Sequence, residues 1–185
     1  MSRLALCDAC GPLSDLLQKL SGEKGEEWNG ALKKMLRREN PWVRSVYQIV
    51  VDYSRPLSEM IEAGNYNWVN QNITRENFPL TGQGRHELEA ELFRFNRVIS
   101  SEDAIKEMDE AGYRPAVLEE LLALGEAHLK LQKQFSIIAL GSLWRNSDCR
   151  RYAPFLRSFE FGCDLYMLSF EGDWSGGYRF LACRK

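Results

Sequence analysis

The spacing of apolar residues divides the chain into a helical beginning, an ambiguous middle and a strand-rich end. Residues 13 to 39 carry apolar positions at helical intervals. LSDLLQKL opens behind a capping Ser14, and EEWNGALKKMLRR aligns Trp28, Leu32, Met35 and Leu36 on one stripe. The SGEKG between them predicts a turn. Asn40-Pro41 ends the second helix, because the residue before a proline is pushed out of the α region. In PWVRSVYQIVVDYSRPLSEMIEAG the β-branched and aromatic core leaves a strand and a helix in competition.

Residues 65 to 84, NYNWVNQNITRENFPLTGQG, are dense in Asn, Gly and Pro and show no period. They predict an ordered loop with a domain boundary near residue 80, and Trp68 and Phe78 are expected to pin that loop to the core. HELEAELFRFNRVI then alternates Leu92, Phe93, Phe95, Val98 and Ile99 with polar residues, predicting a strand that ends at Ile99. Ser100 and Ser101 with Glu102 and Asp103 form the N-cap and acidic first turn of EDAIKEMDEA, whose buried face is Ala104, Ile105 and Met108 and whose closing glycine is Gly112. In GYRPAVLEELLALG, Pro115 takes the first position of a second helix with Leu118, Leu121, Leu122 and Leu129 as its stripe, and His128 falls at its end.

FSIIALGSLW, RRYAPFL, DLYMLSF and YRFLACRK are strand-like runs separated by polar or glycine-rich turns. The order predicts an α+β fold with two helices beside a small, mostly antiparallel sheet. A helical segment and linker over residues 1–80 precede this domain of residues 81–185.

Charge and cysteines narrow the classes. The 24 basic and 26 acidic residues leave a formal net charge of -2, without the broad positive field that nucleic-acid binding needs, so no nucleic-acid partner is expected. The N-terminal apolar run is broken by Asp8, far short of the about 20 residues of a membrane span, which predicts a soluble cytoplasmic protein. Five cysteines, an odd number in a chain that needs no staples, predict reduced thiols. Cys7 and Cys10 form a CxxC pair, but His86 and His128 are the only histidines to complete a zinc site, so the pair reads as incidental thiols on a frayed terminus.

The last 43 residues hold ten of the chain's 21 aromatics, while their only lysine is Lys185. Arg145, Arg150, Arg151 and Arg157 stand among Ser, Asp and Gly, a composition typical of recognition surfaces. Phe155, Leu156, Leu165, Leu168, Phe170, Phe180 and Leu181 read as core. No Ser/His/Asp or Cys/His set, P-loop or dinucleotide fingerprint is present, and no cofactor or metal is expected.

The strand, SSEDAIKEMDEAGYRPAVLEELLAL, the Trp-bearing strand and the closing RFLACRK together resemble the C-type-lectin-like fold of the formylglycine-generating-enzyme kind. YRPAVLEELLAL matches that family's Arg, Pro and helix, without the intervening Leu. More narrowly, LGSLW, APFL, LSFEGDW and RFLACRK resemble the frame segments of variable proteins of diversity-generating retroelements, in which a reverse transcriptase and a template repeat rewrite codons near the gene's 3′ end. The resemblance spans roughly residues 88 to 185. It implies a frame of Leu140, Gly141, Ser142, Trp144, Pro154, Leu156, Trp174, Arg179, Phe180, Leu181 and Arg184. It also implies a variable, ligand-binding face drawn from Trp144, Arg145, Ser147, Asp148, Cys149, Arg151, Tyr152, Arg157, Phe159, Phe161, Cys163, Tyr166, Trp174, Ser175 and Tyr178, with Trp144 and Trp174 counted in both sets.

The Glu-Pro-Asn or Gln-Pro-Asp tripeptide of calcium-dependent lectins is missing, so calcium is not expected. The resemblance therefore implies a non-catalytic module for a protein or cell-surface ligand. A copper-dependent thiol oxidase using Cys183 with Cys163 is the alternative, and a third reading, in which helices over 13 to 39 dock a partner or build an oligomer, is compatible with the binding module.

Overall fold

β-branched side chains decide the ambiguous middle. Val46–Asp52 is a strand in which Ile49 and Val51 are buried while Val46, Gln48 and Val50 face solvent, the two-residue alternation of a half-buried strand. The computed structural model describes residues 6–36, 46–80, 82–159 and 162–185. The predicted stop at Asn40-Pro41 lies outside the described residues. In chain order the elements are α1 (Leu6–Ser21), α2 (Gly25–Leu36), β1 (Val46–Asp52), α3 (Leu57–Ala63), β2 (Trp68–Val69), β3 (Arg85–Phe93), α4 (Ser101–Glu110), β4 (Tyr113–Pro115), α5 (Leu118–Ala127), α6 (Leu129–Gln132), β5 (Ile137–Ile138), β6 (Trp144–Arg145), β7 (Arg151–Phe159), β8 (Gly162–Ser169) and β9 (Arg179–Arg184).

The chain forms two compact units, residues 1–44 and 45–185. β1 pairs antiparallel with β3 from Val46 opposite Glu91 to Asp52 opposite Arg85. That ladder places residues 46–80 with the sheet and moves the boundary from the expected residue 80 to 44/45. In the first unit α1 includes Cys7 and Cys10 and runs on through Pro12, so Ser14 is an interior residue and not the cap. Among the described residues no helix is long and apolar enough to cross a membrane.

The second unit is α+β, with a sheet larger than expected: nine strands in the order β1-β3-β9-β5-β7-β8-β2, with β4 on β9 and β6 on β7. Pairing is antiparallel except for β5–β9 and β2–β8. Neighbouring residues of the central strands point to opposite faces. Ile137, Leu156, Leu165 and Leu181 join Leu118, Leu121 and Leu122 of α5 and Leu57 and Met60 of α3 in one cluster. Ile138, Phe155, Phe180 and Ala182 join Ala104 and Met108 of α4 in the other.

α4 and α5 therefore cover opposite faces of the sheet. The crossing is made by β4. Ser100 caps α4, accepting from the Asp103 N–H, Gly112 turns the chain at φ +85°, and Tyr113–Pro115 then pairs with β9. Pro115 is thus a strand residue, and α5 begins at Leu118.

β5 and β4 occupy successive stretches of the same β9 edge. Where they meet, the Gly141 N–H donates to the Ala116 carbonyl at 2.9 Å, and a β-carbon at 141 would lie 2.7 Å from the Pro115 and Ala116 oxygens. Ser142 Oγ accepts from the Leu118 N–H at 2.9 Å, supplying the cap that Val117 at the N-cap position lacks.

Two further expectations change. β3 stops at Phe93, and Ile99 makes a bridge to Trp174 instead of extending it. Leu129 is exposed because His128 breaks the α5 geometry before it. Ser142→Ala is expected to cost about 1 kcal/mol by loss of the cap, measured by urea unfolding, and Ser142→Thr to recover most of it.

Candidate functional site

The β7–β8 hairpin and the short edge strand β2 build one end of the sheet. Arg157 and Trp68 both lie opposite Asp164, and Phe159 lies opposite Gly162, so their side chains leave the same face. Trp68 packs on Tyr166 with ring centroids 5.1 Å apart, and the Arg157 guanidinium stands 5.2 Å from the Tyr166 ring. Asp164 is almost fully buried and pairs with Arg157, whose side chain is 51% exposed. The carboxylate thus holds a cation over an aromatic face, worth about 0.5–1 kcal/mol at such a site.

Trp68 at 45% and Phe159 at 39% exposed are the two exposed Trp and Phe side chains among the described residues, and both lie here. Gly162 admits this arrangement. A side chain there would overlap Asn67, whose Oδ1 accepts from the Cys163 N–H at 3.1 Å and whose own N–H donates to the Cys163 carbonyl.

The other end of β7 carries the second group. Trp144 faces Tyr152 with rings 5.6 Å apart, both half-buried against the α5-side cluster. The hairpin beyond them is held by Asn146, whose Oδ1 accepts from the N–H groups of Asp148 and Arg150 at 3.1 and 2.9 Å. Cys149 takes φ +62°, and Arg145, Ser147, Asp148 and Cys149 are all exposed. Ser175 is exposed and Tyr178 half-buried, its ring edge-on to Trp174 at 5.4 Å.

Three expected members of the face are not on it. Trp174 is buried, its indole N–H donating at 2.8 Å to Ser101 Oγ, whose hydroxyl in turn donates to the Phe170 carbonyl at 2.6 Å. It joins the closing loop to α4. Cys163 is buried in the α5-side cluster, and burial, then the charge of Asp164, pushes its thiol up to about 12. Arg151 is spent on structure: it lies 4.2 Å over the Phe170 ring and bonds Glu171 at 2.8 Å and Glu102 at 3.2 Å, tying β7 to α4. Phe161 lies outside the described residues. Leu168, expected in the core, is only half-buried.

Apart from Ser175 and Tyr178 in the loop before β9, the exposed part of the expected face is two patches, at opposite ends of a nine-residue strand roughly 30 Å long at about 3.3 Å per residue. One is the 145–149 turn, and the other is Arg157, Phe159 and Tyr166 with Trp68 and Asp164. The last two were not expected there, because an aromatic in a turn-rich stretch and an acid in a strand acquire a face only once the register is known.

The thiol-oxidase alternative loses its geometry. Cys163 on β8 and Cys183 on β9 have β5 and β7 between them, roughly 14 Å at about 4.8 Å per strand, too far to share a copper ion. Burial, then Glu120, pushes the Cys183 thiol up as well. Among the described residues no group of three His, Cys, Asp or Glu side chains is placed to hold a metal. A cavity of about 880 Å³ between residues 53–58 and 73–84 carries Arg55, Arg75 and Tyr53 and none of the expected site residues.

Comparison of the chain with family models, curated proteins and solved structures finds no match.

Burial predicts the thiol chemistry. In native protein, brief alkylation at pH 8 followed by peptide mass mapping should modify Cys149 and spare Cys163 and Cys183; equal labelling of all three would contradict the buried placements. Acid sensitivity follows from Glu171, whose carboxyl is lowered from 4.5 to about 2, first by the Arg151 hydrogen bond. Its contribution is complete above pH 4.5 and is lost as the pH falls toward 2. Glu171→Gln should flatten the stability profile in that window and leave neutral stability less affected by acidification, as read by thermal unfolding against pH.

Proposed function

We propose that residues 45–185 are a non-catalytic, lectin-like binding module of the diversity-generating-retroelement kind, whose exposed residues between 145 and 178 form a changeable recognition surface for a protein or cell-surface ligand. One observation carries this reading: the motif segments and the residues between them have different physical jobs. Leu140, Leu156, Trp174, Phe180 and Leu181 are buried, while Gly141 docks on Pro115 and Ala116 too closely to admit a β-carbon and Ser142 Oγ accepts from the Leu118 N–H. Arg145, Ser147, Asp148, Cys149, Arg157, Phe159 and Ser175 project to solvent between them.

Core truncations cost about 2–5 kcal/mol, whereas surface changes away from caps and buried partners stay within about 0.5 kcal/mol. A scaffold partitioned this way keeps its fold while its surface is rewritten. Arg, Trp, Tyr and Phe are the side chains that dominate protein-recognition energetics, which suits the patch around Trp68 and Arg157.

Sequencing sibling genes and the neighbouring locus tests the reading. Differences should concentrate at the seven exposed positions named above and spare Trp174, Gly141 and Ser142, with a near-copy of the 3′ end beside a reverse-transcriptase gene. Differences spread evenly along the chain, with no such copy nearby, would overturn it.

A further inference from the structure

The first unit holds an apolar surface that its own two helices do not use. α1 repeats leucine at positions 6, 13 and 20, with Leu16 and Leu17 between, and α2 repeats it as Trp28, Ala31, Leu32 and Met35. Such a stripe, three positions wide per heptad, belongs to a helix that packs on two neighbours, whereas a two-helix pair needs only the narrower seam. Leu16, Leu20, Trp28, Ala31 and Leu32 are half-buried, and α1 packs on α2. The other half of the stripe, Leu13 and Leu17, is 53% and 67% exposed one helical turn apart.

None of residues 11–33 is buried. A unit of 44 residues lies close to the size of about 40 residues below which disulfides, metals or oligomerisation are usually needed, and the described side chains of the hairpin supply no interior of their own. We infer that the Leu13/Leu17 face pairs with the same face of a second copy of this chain, the two hairpins forming an antiparallel four-helix bundle.

A second copy fits better than a partner of one charge. Residues 11–33 carry four acids (Asp15, Glu23, Glu26, Glu27) and three lysines (Lys19, Lys24, Lys33). One lysine is already used within α1: Lys19 bonds Asp15 at 2.7 Å and stands 4.6 Å over the Trp28 ring. A surface with both signs interspersed neither repels its own copy nor selects a strongly charged stranger, and a two-fold interface needs only this one patch to be self-complementary. Pairing would place two recognition surfaces on one assembly and raise avidity without a new ligand contact; that consequence alone rests on the binding function proposed above.

The test uses the full-length chain and no ligand, so its outcome is independent of that function. Light scattering coupled to size exclusion should give twice the 21.4 kDa chain mass for the native protein and a single chain mass for Leu13→Asp/Leu17→Asp. Val98→Asp, an equally exposed apolar position in the second unit, should stay dimeric. A native protein that is monomeric across the accessible concentration range overturns the inference, as does a dimer that survives the double substitution. Should the double variant lose helix by circular dichroism, amide exchange of the native chain decides. Protection over residues 13–32 should fall on dilution through the dimer's dissociation range, and protection independent of concentration would exclude the second copy.

Discussion

Glu120 sits fully buried at the start of α5, and groups from three parts of the chain converge on its two carboxylate oxygens. Arg114 of β4 donates to both, at 3.0 and 2.6 Å. The Tyr53 hydroxyl at the exit of β1 donates at 2.9 Å, and the Val117 N–H, at the N-cap of α5 itself, also at 2.9 Å. A carboxylate out of water is tolerable only with such a complete set of donors, and removing one partner of a buried pair costs about 3–5 kcal/mol. Burial, then the charge of Glu120, pushes the Tyr53 hydroxyl up, and the bond to Glu120 raises Arg114, so both remain donors over the whole working pH range. Gly82 completes the enclosure, since a β-carbon there would stand 2.7 Å from the Tyr53 ring.

What that carboxylate holds in register is the passage of the chain from one face of the sheet to the other. β4 lies against β9, α5 starts immediately after it, and the LGS segment closes on the junction through Gly141 and Ser142. β9, the closing strand, is thereby flanked by β3 on one edge and by β5 and β4 on the other, with Phe180 and Leu181 buried on opposite faces. Three segments distant in sequence, RPA, LGS and RFLACR, make one joint. None of the exposed residues at 145–149 or at 157 and 159 contributes to it, which is why surface and stability are separable here.

The two exposed patches differ in rigidity by construction. The Trp68–Tyr166–Arg157 patch is bonded from beneath: Asp164 orients the guanidinium, and Asn67 ties the edge strand to β8. The 145–149 turn is fixed through Asn146 alone and carries a non-glycine residue at positive φ, a conformation that costs of order 1 kcal/mol or more. The first patch is ordered in advance by these bonds, while the turn carries small polar side chains that can adapt.

Local signals settled much of this. The Ser100 cap, the Gly112 closure and the amphipathic leucines of α5 each act within a few residues, and those elements are where the chain's pattern puts them, whereas the β-branched run of β1 left strand and helix in competition. What the chain alone left open was every question of facing. Pro115 reads as a helix start until β9 is placed beside it, and Trp174 and Cys163 read as surface residues until Ser101 and the α5 leucines are seen to cover them. Trp68 becomes part of a site only because Asn67 and Trp68 meet Cys163 and Asp164, some 96 positions away. A strand turns its side chains over with each residue of register, and register here is set by pairings between distant segments, so only the tertiary structure could decide which residues the protein shows and which it hides.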